Sequence, residues 1–202
     1  MADVLVLAAH PQLEDSHVNR ALMRAVAALG ERHVTLRDLY ALYPDYVIDV
    51  EAEQALLAQA RLIVWQYPIQ WYAMPALMKL WVDEVLAFGW AYGPGGVALK
   101  GKDLWLVLST GGPQGAYHPG GHNRHFFDDF LPPCEQTAAL CGMRFLPPLV
   151  LHGAHTVSDG EVEAHARVYT SRLLSHPHWP EIADMEPAPA CEVPADARPA
   201  ED

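Results

Sequence analysis

Five short apolar runs recur along the chain: Val4-Leu5-Val6-Leu7-Ala8, Val34 to Leu39, Leu62-Ile63-Val64-Trp65, Leu104-Trp105-Leu106-Val107-Leu108, and a stretch within Met143 to Leu151. Each is continuous rather than alternating and rich in branched or aromatic side chains, the pattern of strands buried on both faces. Between the runs, apolar residues return at helical spacing. Val18, Leu22, Ala25 and Leu29 form one stripe, with Gly30 as its stop; Leu77, Leu80/Trp81, Val85 and Phe88 form another between Pro75 and Gly89. Asp49 is placed to cap a short helix whose first turn holds Glu51 and Glu53, and further helices are expected near 125–141 and over Val162–Leu174. Tyr40 to Val50 reads as a connection, and Ala91 to Lys100 as a glycine-rich excursion.

Strands alternating with helices imply a parallel sheet joined by right-handed crossovers. Five strands in about 175 residues fit an α/β, flavodoxin-like, doubly wound five-stranded sheet of order 2-1-3-4-5. No G-x-G-x-x-G follows the first strand, and there is no phosphate-binding P-loop or internal repeat. In such a sheet the loops at 9–19, 66–72 and 109–123 each follow a strand and emerge on one edge, where open α/β sheets bind ligands.

Composition changes this picture at the ends of the chain. The net charge of −12 is uneven: from Glu181 onward seven acids face the single base Arg198, among five prolines counted from Pro180. Residues 1–178 are therefore expected to fold as one domain and 179–202 to form an acidic, solvated, disordered tail. The mildly acidic body argues against nucleic acid as a partner. Asp3 interrupts any leader-like start, the most apolar region carries charges, and three cysteines show no C-x-x-C pattern, so a cytoplasmic protein with buried thiols at Cys134 and Cys141 is expected.

The loops carry the chemistry. His10 to Asn19 leads into a helix whose free N–H groups form an anion site, with Ser16 and Asn19 able to add donors; Ser16 serves equally as a helix cap. With no glycine-rich cradle and no lysine, this end suits one phosphate better than three. Gln70, Trp71 and Tyr72 suit a flat, partly polar ligand, although core packing is the commoner fate of such aromatics. Gly111 and Gly112 permit close approach of a ligand to backbone N–H groups, and Tyr117 and His122 can donate protons or hold developing negative charge. His118, His122 and His125 have metal-like spacing, but Pro119-Gly120-Gly121 breaks any helix between the first two, so no metal site is expected. His152 and His155 read as surface or packing residues.

The elements AHP…SHVN, PIQWYAMPALMKLWVDEVLAFGWAYG and STGG…Y…GGH resemble the NAD(P)H:quinone oxidoreductase branch of flavodoxin-like proteins. LYALYPDYVID, WQYPIQWY and GWAYGPGGVALKGK are similar in style to the ancillary flavoproteins of glutathione-regulated potassium-efflux systems. The resemblance spans roughly residues 3–175.

It implies that His10, Ser16, His17, Val18 and Asn19 hold a flavin phosphate. Ile69, Gln70, Trp71 and Tyr72 would line the isoalloxazine ring, and Ser109, Thr110, Gly111 and Gly112 its pyrimidine edge. Tyr117 and His122 stand where the family has a tyrosine and a histidine near the quinone, with one residue fewer between them here. The implied activity is ping-pong transfer of a hydride from NAD(P)H through FMN to a quinone, with FAD left open. The implied assembly is a homodimer to which helix 76–88 and Phe126-Phe127 contribute. The alternative reading is a redox-sensing regulatory subunit of a potassium/proton efflux antiporter, at the inner face of the membrane through that partner.

Overall fold

In the computed structural model, which describes residues 3–185, five parallel strands form one sheet in the order β2-β1-β3-β4-β5. They are β1 (Val4–Ala8), β2 (Val34–Asp38), β3 (Leu62–Pro68), β4 (Asp103–Ser109) and β5 (Arg144–Leu151). The helices are α1 (His17–Ala27), α2 (Leu39–Leu42), α3 (Val50–Gln59), α4 (Ala76–Val85), α5 (Pro132–Leu140), α6 (Asp159–Ser175) and α7 (Pro180–Ala183). The strand order expected from the alternating pattern is the one found.

The continuous apolar runs divide between two cores because successive side chains in a strand point to opposite faces. Leu5, Leu7, Ile63, Trp65, Tyr67, Leu104, Leu106 and Leu108 pack with α3, α4 and α5 on one face. Val4, Val6, Leu62, Val64, Trp105 and Val107 pack with α1 and α6 on the other. β3 and β4 lie between neighbours on both sides, which is why their runs carry so little polarity. β5 is an edge strand, where Pro147 and Pro148 are tolerated; the β4–β5 register shifts between Trp105 and Val107.

Several boundaries move. The helical stripe of α4 begins after Pro75, which is its N-cap, and ends before Gly89, whose φ of 77° makes the turn. Leu77, Met78, Trp81 and Val85 are buried in this chain's own core, while Phe88, just past the helix, is 45% exposed. Asp38 accepts from Ala41 N–H at 3.3 Å and starts α2 inside the stretch read as a connection. The stretch near 125–141 is divided into a 3-10 turn over Phe127–Phe130 and α5.

The packed chain also continues past 178. Trp179 is 3% exposed, its ring 4.7 Å from that of Trp105, and Ile182 is buried. Pro180, read as a mark of disorder, stands in the first turn of α7, where a missing N–H costs nothing. Residues 186–202, which hold the rest of the expected tail and Cys191, lie outside the described residues. No helix among the described residues is long and apolar enough to cross a membrane.

Candidate functional site

The loops after β1, β3 and β4 meet at the carboxyl ends of the strands. Ile69 N–H donates to Ser109 O at 2.8 Å, Ala9 N–H donates to Gln66 O at 2.9 Å, and the Asn19 amide donates to Ser109 Oγ at 2.8 Å. Gln66 in turn reaches Asn19 O at 3.4 Å and accepts from Tyr169 OH at 3.1 Å, so the floor of the site is a buried polar network.

Two cavities of about 560 and 460 Å³ lie along this edge and share Ile69. Both fall within the roughly 300–1,000 Å³ usual for small-molecule sites. The larger is lined by His10, Ser16, His17, Val18, Asn19, Gln70, Ser109 and Gly111, all expected from the sequence, and by Gln12, Asp15, Pro68, Ala154 and His155, which were not. The smaller is lined by Trp71, Tyr72, Gly112, Tyr117 and His122 together with Pro113, Ala116 and Asn123. Nothing in the local pattern marks Asn123 or His155; both reach the site through long-range loop packing.

The larger cavity presents hydrogen-bond donors of the kind an anion accepts. Ser16 is the N-cap of α1 and accepts from Asn19 N–H at 3.0 Å, leaving the His17 and Val18 N–H groups without intrahelical partners. His10 Nδ1 accepts from Gln12 N–H at 3.1 Å. Burial lowers the His10 pKa, against the pull of Asp38 and Asp15, so the ring is neutral at pH 7 and its proton sits on Nε2, a donor. His17 pairs with Asp159 at 3.3 Å on the exposed rim. Asp15 adds one opposing charge in an exposed position, where water screens it.

The smaller cavity is framed by a strained turn. Gln70 and Ala73 exchange backbone hydrogen bonds at 2.9 and 3.0 Å, and the two residues between them, Trp71 and Tyr72, have φ of 49° and 64°. Two consecutive positive φ values mark a type I′ tip, a place normally taken by Asn-Gly. Side chains there cost about 1–2 kcal/mol each, and such strain collects at binding sites. The geometry lifts the Trp71 ring clear of the body at 94% exposure. Tyr72 lies over Phe130 with ring centroids 5.1 Å apart and donates to Asn123 Oδ1 at 3.3 Å. Neither ring is packed in the core.

Tyr117 and His122 both border the smaller cavity, Tyr117 half-buried with its ring edge-on to Phe127 and Phe130, His122 exposed. Gly111 and Gly112 line the two cavities, and neither N–H has a partner among the described residues. Thr110 departs from the pattern: it is buried beneath the loop, and its hydroxyl is engaged by Gly112 O and His152 rather than by either cavity. Among the described residues no group of His, Cys, Asp or Glu is placed to hold a metal ion. Cys134 and Cys141 are buried free thiols, and burial pushes the Cys141 thiol up to about 11.

Residues 2–173 match the Flavodoxin_2 family, described as having the flavodoxin-like fold. A protein of Citrobacter koseri named glutathione-regulated potassium-efflux system ancillary protein KefF is 45% identical over 172 residues, covering 85% of this chain and 96% of its own. The chain belongs to the flavodoxin-like quinone reductase family. Solved structures of flavodoxin-like proteins similar to it include general stress protein 14 of Treponema denticola in complex with FMN, 40% identical with a TM-score of 0.79 over 84% of this chain and 97% of that one. An NADPH-quinone reductase of P. pentosaceus is 28% identical, with a TM-score of 0.76 over 87% and 99%. A chain described as a thermophilic tryptophan halogenase from Streptomycin violaceusniger is 43% identical, with a TM-score of 0.80 over 85% and 98%.

Proposed function

We propose that this member of the quinone reductase family is a flavin-dependent NAD(P)H:quinone oxidoreductase that uses FMN. The observation that carries this reading is the pairing, on one sheet edge, of a helix N-terminus with free N–H groups and a cavity walled by Trp71, Tyr72 and Tyr117. That pairing fits a ligand with one phosphate at one end and a flat ring system at the other. FMN, when bound, accepts two electrons as a hydride from NAD(P)H and passes them to a quinone.

The chain's residues then divide the remaining tasks. The His17 and Val18 N–H groups and the neutral His10 ring take the phosphate. Gln70, Gly111 and Gly112 supply polar contacts along the ring edge, while Ile69, Trp71 and Tyr72 exclude water from its face. Tyr117 and His122 stand at the open side, where each can hold a proton for the reduced acceptor. The acceptor is read as a quinone because a solved relative, 28% identical, is named an NADPH-quinone reductase, and the cofactor as FMN because another, 40% identical, was solved with it.

Curated relatives are named ancillary proteins of a glutathione-regulated potassium-efflux system, which favours a second role that we read as a redox-sensing subunit of an efflux antiporter. Such a role requires docking, not a different flavin site, and a homodimer is compatible with both. The two are separated by co-purification with a transporter and by whether a variant without turnover still activates efflux. The reading as a whole is tested by purifying the protein, releasing any chromophore with acid and identifying it by chromatography. A colourless protein that takes up no added FMN overturns it.

A further inference from the structure

We propose that His152 is a positioning residue for the flavin site, acting through Thr110 on the Gly111–Gly112 segment; this rests on the flavin reading above. His152 lines neither cavity, and the residues after β5 carry no motif in the sequence. The connection is made by three backbone hydrogen bonds between the loops after β4 and β5. Thr110 N–H donates to Leu151 O at 3.0 Å, Ala154 N–H to Thr110 O at 2.8 Å, and Gly153 N–H to Gly112 O at 2.9 Å.

The Thr110 hydroxyl sits inside this lattice, 2.7 Å from Gly112 O and 3.0 Å from His152 Nδ1. A hydroxyl has one proton, and a carbonyl can only accept. The proton therefore goes to Gly112 O, and His152 Nδ1 must carry its own hydrogen and donate to Thr110 Oγ1. The direction of the relay is fixed: His152 to Thr110 to Gly112.

The end of the relay is the segment whose N–H groups border both cavities. Gly112 O takes two donors, Thr110 and Gly153 N–H, so its peptide plane is held on both sides. The next residue is Pro113, whose ring fixes its own φ at −69°. The pinned carbonyl and the proline directly after it on one side, and Thr110 tied through its N–H to Leu151 O and through its O to Ala154 N–H on the other, leave the Gly111–Gly112 unit little freedom, although glycine is the most pliable residue available. The same imidazole supports the neighbouring wall, its ring centroid 5.4 Å from that of Tyr117 and 5.1 Å from that of Phe127. Burial lowers the pKa of His152, in keeping with a neutral ring that holds one fixed tautomer.

The tautomer can be read directly, without flavin, from ring nitrogen chemical shifts of ¹⁵N-histidine-labelled protein, assigned by comparison with His152→Phe. A proton on Nδ1 is expected; a neutral ring protonated on Nε2 overturns the proposal. FMN binding and potential supply the functional arm. His152→Phe keeps an aromatic ring against Tyr117 and Phe127 but cannot donate, and is expected to weaken FMN binding about tenfold. If the loss falls mainly on the reduced form, the midpoint potential of bound FMN moves negative by about 30 mV, the two-electron equivalent of a tenfold change.

His152→Asn, whose amide N–H stands near the position of Nδ1, is expected to recover most of the loss, and Thr110→Ser to behave as wild type. Thr110→Val should reproduce His152→Phe, and combining the two should add nothing. Multiplying losses in the double variant, or an unaltered Kd and potential in His152→Phe, would overturn the relay while leaving the flavin reading intact. If His152→Phe fails to fold, the Thr110→Val and Thr110→Ser pair decides between the same outcomes. Wild-type protein that binds no FMN overturns both readings at once.

Discussion

Asn19 and Ser109 stand 90 positions apart in the chain, yet the Asn19 side-chain amide donates to Ser109 Oγ at 2.8 Å, both residues being at most 2% exposed. The bond closes the gap between the helix that starts at the anion end of the site and the strand that ends at its ring edge. Replacing Ser109 with Ala leaves a buried amide hydrogen with no acceptor, which costs about 1–3 kcal/mol. The Ser109→Ala protein is expected to lose about that much unfolding free energy, seen as a lower urea midpoint at unchanged slope, and to bind FMN more weakly, as measured by chemical denaturation and flavin fluorescence titration.

Trp71 holds a conformation that glycine would adopt freely, with φ of 49°, and its ring is almost wholly exposed. Trp71→Gly should leave stability unchanged or raise it by up to about 1 kcal/mol, since released strain outweighs or balances the greater freedom of the unfolded chain. Flavin affinity or turnover should fall in the same variant. A protein that loses stability, with binding and rate untouched, would make the tip a structural turn only.

The pair Tyr117 and His122 can be tested together because both border the smaller cavity while neither touches the anion end. Tyr117→Phe combined with His122→Ala should lower steady-state reduction of a soluble quinone by about 10–100-fold while FMN stays bound. Equal rates in the variant and the parent would remove both side chains from the reaction.

Far from the site, Asp103 receives two hydrogen bonds from Arg144, at 2.8 and 3.0 Å, and lies 2.7 Å from His176 Nε2. Burial by itself would raise the Asp103 carboxyl, but the His176 and Arg144 contacts overcome it and hold the pKa below the ordinary value. A carboxylate depressed in the folded state stabilises fully above the unfolded value of about 3.9 and loses that contribution as pH falls through the folded value. Stability measured by urea should therefore drop on acidification below about pH 4. Asp103→Asn should weaken that acid dependence and cost about 2 kcal/mol near neutrality, because Arg144 is left partly buried without its partner.

Sequence alone determined the sheet and the place of the site on it. Unbroken apolar runs separated by helical stripes admit few arrangements, and each chemistry-bearing loop follows a strand, so a parallel doubly wound order brings the loops to one edge. The aromatic pair Trp71 and Tyr72 was legible as a candidate ligand surface as well, but its lift into solvent was not: it comes from a type I′ tip whose residues lack the usual Asn-Gly. Tertiary structure alone decided that Thr110 lies beneath the site rather than on it, that His152 and Asn123 belong to its surroundings, and that Trp179 continues the core beyond the expected boundary. The physical reason is shared. Periodicity reports which way a side chain points within its own element, whereas these residues owe their roles to partners on other elements or loops far away in the chain, and such pairings follow only from how the finished layers pack.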